Sequence, residues 1–279
     1  MLYGTGASDW NMTTYNMGFG AMDYSCQNMN DSYFMDDRGV MNLQTTLAYG
    51  NFATAALTQN IKTFIVDKRS KTNFSAVNRE KSQYRLFFND GYALYVTLVN
   101  GKLMGAMPIY YGEAMNCVYN GEWSNGNEVT FSGSTTTGHV YMMEVGSSFD
   151  GNNIDAFINL NWDAAKSPRT LKRYRKASIE LYGTYYANLN FGYQLGYGTD
   201  AIVQPNFVSY DSSFSGLPHW DSFTWDAFIW DGKTLAPTEC EMMGTSENVQ
   251  FVITCSTDYI YPFTINSLIY HYTPRRGLR

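Results

Sequence analysis

The chain has few charged residues, and its cations are absent from long stretches. Charged residues make up 16% of its 279 residues, against about a quarter in an average globular domain. Amphipathic helices need many Glu and Lys residues on their solvent faces, so an all-helical fold is excluded. The net charge of -6 is also opposite in sign to that of a general nucleic-acid-binding domain.

Residues that build metal or nucleophilic centres are equally sparse. The three histidines form no HExxH pair, the four cysteines form no CxxC pair, and neither a GxSxG motif nor a GxxxxGK[ST] loop occurs. We therefore predict no metal, no cofactor and no enzymatic activity. The cysteines are interpreted as buried thiols: Cys26, Cys117, Cys240 and Cys255.

Long apolar runs are missing too. No stretch approaches 18 apolar residues, and the beginning of the chain, MLYGTGASDW, lacks the basic start and apolar run of a secretory signal. We expect no membrane span and folding in a reducing cytoplasm.

The residues that are abundant favour strands and turns. Aromatic residues reach 16%, with 23 Tyr and 17 Phe, and Gly and Asn are frequent. Tyr and Phe suit a pleated, half-buried surface, while Gly and Asn supply the positive φ angles of tight turns. The composition predicts an all-β fold.

One hairpin pattern recurs three times in the first half: a short apolar run, a polar turn and an alternating run. The turn glycines Gly39, Gly91 and Gly138 are spaced by 52 and then 47 residues, close to the length of a β-propeller blade. The Asp90-Gly91 dipeptide is the strongest hairpin signal of the three. The alternative is an ordinary antiparallel sandwich whose hairpins resemble one another.

Four strand-like runs lie between the second and third of these turns. They are Tyr92–Val99, Leu103–Tyr110, Met115–Tyr119 and Glu128–Ser132. Four short strands make one blade. We therefore predict that residues 1–150 form propeller-like blades, too few to close a ring, which is left open or completed by another chain.

The pattern changes in the second half, where residues 151–279 are predicted to form a β-sandwich-like domain. Residues Thr199–Pro218 are interpreted as a loop, and a connector containing Trp220, Trp225 and Trp230 follows it. We expect these rings to pack on the sheet. A platform for stacking on sugars is the alternative.

Cations are concentrated in narrow bands. There is no Lys or Arg between Leu103 and Ala165, whereas six occur within the next eleven residues, and three more near the end of the chain. Such a cluster faces solvent, phosphates or an acidic partner. We predict that both groups lie at subunit contacts: Lys166, Arg169, Lys172, Arg173, Arg175, Lys176, Arg275, Arg276 and Arg279.

The basic cluster is also compatible with a solvated strand edge and with nucleic-acid binding. In a regular strand, Lys172, Tyr174 and Lys176 would point to one face, and Arg173 and Arg175 to the other. Both faces of the strand would then carry charge.

Several segments together resemble the C-terminal part of a family of virion proteins. They are NDSYFMDDRGVMNLQTTLAYGNF, ALTQNI, REKSQYRLFFNDGYALYVTLVNGKLMGAMPIYY, SGSTTTGHVYMMEVGSSFDGNNIDAFINLNW, SPRTLKRYRKASIELYG and PFTINSLIYHYTPRRGLR. The family is the tail nozzle or hub protein of short-tailed bacteriophages, also called tubular tail protein B or packaged-DNA stabilisation protein. Its members are generally longer than this chain.

The resemblance implies a propeller body with added β domains, assembled as a ring, usually of six copies, below the portal and adaptor rings. Genomic DNA would pass through the ring, and the protein would reside in the tail of the virion after assembly in the host cytoplasm. A receptor- or glycan-binding tail module is the first alternative. A propeller glycosidase that uses Asp36, Asp37 or Asp90 is the second.

Overall fold

The computed structural model describes residues 2–3, 5–6, 9–12, 20–49, 56–183, 187–206, 208–212, 238–257 and 263–277. The chain divides into two compact units, Met1–Val145 and Gly146–Arg279, called unit 1 and unit 2 below. Most described residues lie in antiparallel sheets, and helices are few and short. The all-β prediction is therefore confirmed.

Unit 1 contains three successive meander sheets after a small β1–β2 hairpin (Leu2–Tyr3 and Asn11–Met12). The first sheet comprises β3 (Gln27–Met29), β4 (Asp31–Asp36) and β5 (Gly39–Asn42). The second comprises β6 (Thr72–Asn78), β7 (Gln83–Phe88), β8 (Tyr92–Val99) and β9 (Lys102–Tyr110). The third comprises β10 (Met115–Glu122), β11 (Glu128–Ser134) and β12 (Val140–Met142).

Two helices follow the first sheet, α1 (Leu43–Tyr49) and α2 (Lys62–Lys68). The start of α1 is capped by Asn42, whose side-chain oxygen accepts a hydrogen bond from the backbone N–H of Gln44 at 2.8 Å. On α2, Ile65 is buried in the hydrophobic core.

Strands β7 and β8 of the second sheet are buried on both faces because they lie between the other two sheets, whereas the edge strand β9 exposes Met104, Met107 and Tyr110. One face, with Leu86, Phe88 and Leu94, packs against Tyr33 and Met35 of the first sheet. The other face, with Phe87 and Tyr95, packs against Met115 of the third sheet and against Met143, which directly follows β12. Successive side chains along β7 and β8 point to opposite faces of the sheet. Because a neighbouring sheet covers each face, neither strand has a solvent-exposed face.

The three predicted hairpins are confirmed as β4–β5, β7–β8 and β11–β12. Gly91 has φ +83°, in the left-handed region that glycine tolerates best, and the Asp90-Gly91 turn joins β7 to β8. The predicted grouping of four strands into one blade is wrong, because the observed four-stranded sheet begins at β6 and not at β8. Strands β8 and β9 belong to the sheet that begins with β6 and β7, so the run from Tyr92 to Ser132 is divided between two sheets.

Unit 2 contains two antiparallel sheets that share one hydrophobic cluster. One has the order β13–β19–β15–β16 (Ile154–Asn159, Val249–Thr257, Ala187–Leu195 and Val208–Ser212). In the other, β14 (Thr170–Gly183) pairs with β20 (Phe263–Gly277) on one side, and with β17 (Thr238–Glu241) and β18 (Thr245–Ser246) on the other. Strand β16 lies within Thr199–Pro218, so the prediction of a loop there is corrected.

Apolar side chains from both sheets of unit 2 meet in this cluster. Ile179 and Leu181 come from one sheet, and Phe191, Phe251 and Ile253 come from the other. Phe191 stacks on Phe251, with ring centroids 5.6 Å apart. Neither helix in the described ranges is long and apolar enough to cross a membrane.

Candidate functional site

The basic cluster lies on β14, and a β-bulge decides which of its cations face solvent. The register between β14 and β20 shifts between Tyr174 and Lys176. Before the bulge, the even-numbered Lys172 and Tyr174 are buried; after it, the odd-numbered Ala177 and Ile179 are buried. The extra residue explains the change, because a bulge inverts the alternation of faces along a strand.

Lys172 corrects the expectation that all six cations point outward. The residue is only 1% exposed. Its Nζ donates hydrogen bonds to the backbone carbonyl oxygens of Ser167 at 2.7 Å, Thr170 at 3.0 Å and Glu247 at 2.8 Å. Burial lowers the pKa of the Lys172 ammonium, and the more distant carboxylates of Asp163 and Glu247 oppose that effect. Lys172 thus connects the segment that leads into β14 with the loop that contains Glu247, both within unit 2. Because Lys172 is buried, it is removed from the candidate contact residues.

Lys176 already has a partner within the chain. Its Nζ lies 2.7 Å from Oε1 of Glu239 on the neighbouring strand β17, and both side chains are partly exposed. The hydrogen bond from Lys176 lowers the pKa of the Glu239 carboxyl. Exposed pairs of this kind contribute little to stability, so Lys176 remains available for exchange with another carboxylate.

The remaining described cations of the two basic groups are exposed and form no ion pair with any described residue. They are Lys166, Arg169, Arg173, Arg175 and Arg275. Arg173 pairs in register with Thr273, and Arg275 lies two residues farther along β20, where the register with β14 shifts between Pro274 and Gly277. Arg276 lies in β20, but its side chain is outside the described residues, as is Arg279. The structure therefore places Arg173 and Arg275 on neighbouring paired strands, which sequence spacing does not reveal.

A tyrosine cluster supports the buried end of the basic strand. The rings of Tyr174, Tyr270 and Tyr272 lie 6.0 to 6.4 Å apart. The hydroxyl of Tyr270 donates a hydrogen bond to Oδ2 of Asp163 at 2.6 Å. Burial raises the pKa of the Tyr174 and Tyr270 hydroxyls, so both remain protonated. Asp163 and Tyr270 were missed in the sequence because nothing in their spacing links them.

Unit 1 contains a polar cleft of about 540 Å³ where the first strands of its three sheets approach one another. Side chains join these strands: Nε2 of Gln27 donates to the carbonyl of Ser75 at 3.0 Å, and Nδ2 of Asn73 donates to the carbonyl of Met115 at 2.9 Å. Asn120 likewise donates to the carbonyl of Val77. The cleft therefore lies along the line on which β3, β6 and β10 meet.

The cleft is lined by polar groups of several kinds. Its lining includes amides, the side chain of Arg79, and the carboxylates of Glu122 and Glu128. Both oxygens of Glu128 accept backbone N–H groups, from Arg79 at 3.1 Å and Glu80 at 2.8 Å. Glu128 therefore acts as an anchor between β11 and the turn after β6.

Of the aspartates considered for a glycosidase, Asp37 and Asp90 occupy turns, and Asp36 ends strand β4. Asp90 lies 2.7 Å from Nζ of Lys68 and 3.1 Å from Nζ of Lys71. Partial burial opposes ionisation of Asp90, but these two ammonium groups outweigh it and lower the pKa of its carboxyl. Asp36 is buried, whereas Asp37 is exposed and accepts a hydrogen bond at its carbonyl from Arg69.

The predictions for the cysteines and the Trp-rich connector have mixed outcomes. Cys240 and Cys255 are buried as predicted, but Cys26 and Cys117 are exposed. Cys117 is exposed because it lies on the face of β10 that points away from the interior. The residues Trp220, Trp225 and Trp230 lie outside the described part of the chain. Within the described ranges, no group of three or more His, Cys, Asp or Glu side chains could hold a metal ion.

No protein-family model matches this chain, and no curated protein matches it.

Proposed function

We propose that this chain is a structural subunit of a bacteriophage tail, of the nozzle or hub type, which assembles as a ring around the path of the DNA. The proposal starts from the resemblance of the chain to tail nozzle proteins. One observation carries it further: the three meander sheets of unit 1 stack in chain order, and their first strands meet at β6.

This arrangement supports a propeller-like body. In a β-propeller, blades of four-stranded antiparallel sheet are arranged around a central channel. The sheet of β6–β9 has four strands in consecutive order, and it is packed on both faces by neighbouring sheets. Three sheets are too few to close a ring, so closure requires sheets from another copy or another chain. In unit 2, the single cluster between two antiparallel sheets supports a β-sandwich.

The exposed arginines support a role in contacts between subunits. Arg173, Arg175 and Arg275 form no ion pair with described residues, although the chain has a net charge of -6. The stretch between Leu103 and Ala165 contains Asp and Glu residues but no Lys or Arg, so an adjacent copy can supply carboxylates from it. A surface made by that stretch would also lack the continuous positive track that holds DNA phosphates, which suits a channel through which DNA passes.

The test is electron microscopy of the purified full chain in negative stain, together with its mass by light scattering. We expect rings. Arg173→Glu and Arg175→Glu, each alone, should abolish or weaken ring formation because each places like charges at the contact. Lys102→Glu changes the net charge by the same amount at an exposed position outside the cluster and should leave the rings intact.

The outcomes separate the parts of the proposal. A chain that stays monomeric at all concentrations, or that binds glycans in an array, contradicts the assignment as a ring subunit. Rings that withstand both arginine reversals retain the assembly but remove the arginines from the contact.

A further inference from the structure

Strand β9 (Lys102–Tyr110) is the edge strand of the second sheet, and its free edge is long and apolar. The strand pairs with β8 on one side, and no strand within the described ranges pairs with its other side. After Lys102 it contains no charged residue. Its side chains include Met104, Met107 and Tyr110, which are all more than half exposed. An exposed, apolar edge strand is a template for pairing with another chain.

Hydrogen bonds on either side of β8 show how the ladder alternates. The N–H of Tyr111 donates to the carbonyl of Gly91 at 2.9 Å, directly beyond the last residue pair of β8 and β9. The N–H of Leu98 donates to the carbonyl of Ser82 at 2.9 Å, on the side of β7. Odd-numbered positions along β8 therefore bond to β9, and even-numbered positions bond to β7, because hydrogen-bonded and non-hydrogen-bonded pairs alternate in an antiparallel ladder.

This alternation places Pro108 at the free edge. The backbone groups of Met107 and Ile109 bond to β8, since their partners there are odd-numbered. The backbone groups of Ala106, Pro108 and Tyr110 consequently point away from β8. Proline has no N–H, and its ring occupies the place where an amide hydrogen would meet a further strand. The proline thus costs the sheet no hydrogen bond and interrupts the free edge.

A β-bulge interrupts the same edge closer to the start of β9. The register between β8 and β9 shifts after Thr97, whose partner is Gly105, and Met104 is left as an extra residue. A bulge bends its strand and increases the local twist. Bulges and prolines are two of the devices by which edge strands avoid pairing with other chains. Between the bulge and Pro108, only three residues of β9 keep a regular free edge.

We propose that Pro108 prevents the free edge of β9 from pairing with a strand of another copy of this chain. With an ordinary residue at position 108, three successive outward positions would each offer an N–H and a carbonyl to an added strand. The exposed apolar side chains of β9 would favour that addition. The role of Pro108 does not depend on ring assembly, because extension of a sheet at its edge differs from any contact made by the basic strand of unit 2.

Pro108→Val in the full chain tests this role, because valine restores the N–H and suits a strand. Sedimentation velocity should show species heavier than those of the unsubstituted protein. They should form at a concentration at least about tenfold lower than any at which the unsubstituted protein forms them, because the edge gains a hydrogen bond and loses the obstructing ring. Pro108→Ala restores the same N–H with a smaller side chain and should act in the same direction. Circular dichroism verifies that the variants fold.

Met107→Val is the matched control. Met107 is a neighbouring exposed residue, but its N–H bonds to β8, so the substitution adds no group to the free edge. Its sedimentation should equal that of the unsubstituted protein. Ala106→Pro combined with Pro108→Val moves the missing N–H to another outward position, and should abolish the heavier species.

Amide hydrogen exchange locates the contact. In the unsubstituted protein, the amides of Ala106 and Tyr110 should exchange quickly, and those of Met107 and Ile109 slowly. In the heavier species of Pro108→Val, the amides of Ala106 and Tyr110 should become protected as well.

Folded Pro108→Val and Pro108→Ala proteins that sediment like the unsubstituted protein would overturn the role of Pro108. Heavier species in which the amides of Ala106 and Tyr110 still exchange quickly would also overturn it, because association would then use another surface. Heavier species of Met107→Val would do the same, since the cause would then be strand propensity and not the edge N–H. Each of these results leaves the ring function to be decided by microscopy of the unsubstituted protein.

Discussion

The ion pair between Arg85 and Glu144 allows a quantitative test of how the second and third sheets of unit 1 are held together. Arg85 on β7 has a fully buried side chain, and its Nη2 lies 2.5 Å from Oε1 of Glu144, two residues after β12. Gln83 accepts a second hydrogen bond from that nitrogen, and the guanidinium lies 4.2 Å from the centre of the Tyr95 ring. Removing the charge of Glu144 would leave a buried cation without its carboxylate.

Breaking a buried pair from one side costs about 3–5 kcal/mol. The side chain of Glu144 is 29% exposed, so solvent screens part of the interaction, and we expect Glu144→Gln to destabilise the fold by about 2–3 kcal/mol. Arg85→Met combined with Glu144→Gln should cost less than the two changes added together, by about 1–3 kcal/mol. Urea unfolding gives the totals, and hydrogen exchange of peptides from β7 and β11 locates the loss.

Lys81 provides the control for that experiment. Its Nζ lies 2.6 Å from the other oxygen of the Glu144 carboxylate, but its side chain is 50% exposed. Lys81→Met should therefore cost less than about 1 kcal/mol. If Glu144→Gln cost no more than Lys81→Met, and the double variant were additive, the assignment of the buried pair as a fastening between the sheets would be refuted.

Three further predictions concern single side chains. Asp90→Asn should destabilise unit 1 by about 1–2 kcal/mol, because Lys68 is nearly buried beside it. Since the folded-state pKa of Asp90 is lowered, the difference from the wild type in thermal denaturation should be fully present above about pH 4 and shrink as the pH falls through that lowered value. Hydrogen bonds from Ser134 and Thr136 lower the pKa of Glu113 to about 2, so NMR should show its carboxyl titrating near pH 2, and a midpoint near 4.5 would contradict this contact. Lys172→Met should cost about 1–3 kcal/mol in urea unfolding by removing three hydrogen bonds to carbonyl groups, while Lys176→Met, on the exposed pair, should cost less than about 1 kcal/mol.

Local signals in the sequence predicted the strands well and their assembly less well. The Asp90-Gly91 turn fixes a hairpin from two residues, because a tight turn between strands requires positive φ there. The division into sheets depends on β6 (Thr72–Asn78), a strand absent from the predicted set, which pairs with β7 and begins the sheet that β8 and β9 complete. Once β6 takes that position, β10 must begin a new sheet.

The candidate site was predictable in composition but not in geometry. The density of cations identified β14 as unusual, yet regular alternation placed Lys172 and Lys176 on one face. The three carbonyl groups that enclose the Lys172 ammonium come from positions as far as 75 residues away, so no local pattern could indicate its burial. Cys117 was misjudged for a related reason, since which face of β10 is covered depends on the neighbouring sheet.

The bulge in β14 also restricts how this strand can pair. Its fully buried side chains are even-numbered up to Tyr174, and its core side chains are odd-numbered from Ala177 onward, while the register of β20 shifts again between Ser267 and Ile265. A shift of the register by one residue in the first half of the strand would therefore bury an arginine, and in the second half it would expose Ile179. A shifted alignment could place the correct side chains in the core in only one of the two halves. The two halves of this fourteen-residue strand therefore specify one register together, which disfavours misaligned pairing during folding and with other copies.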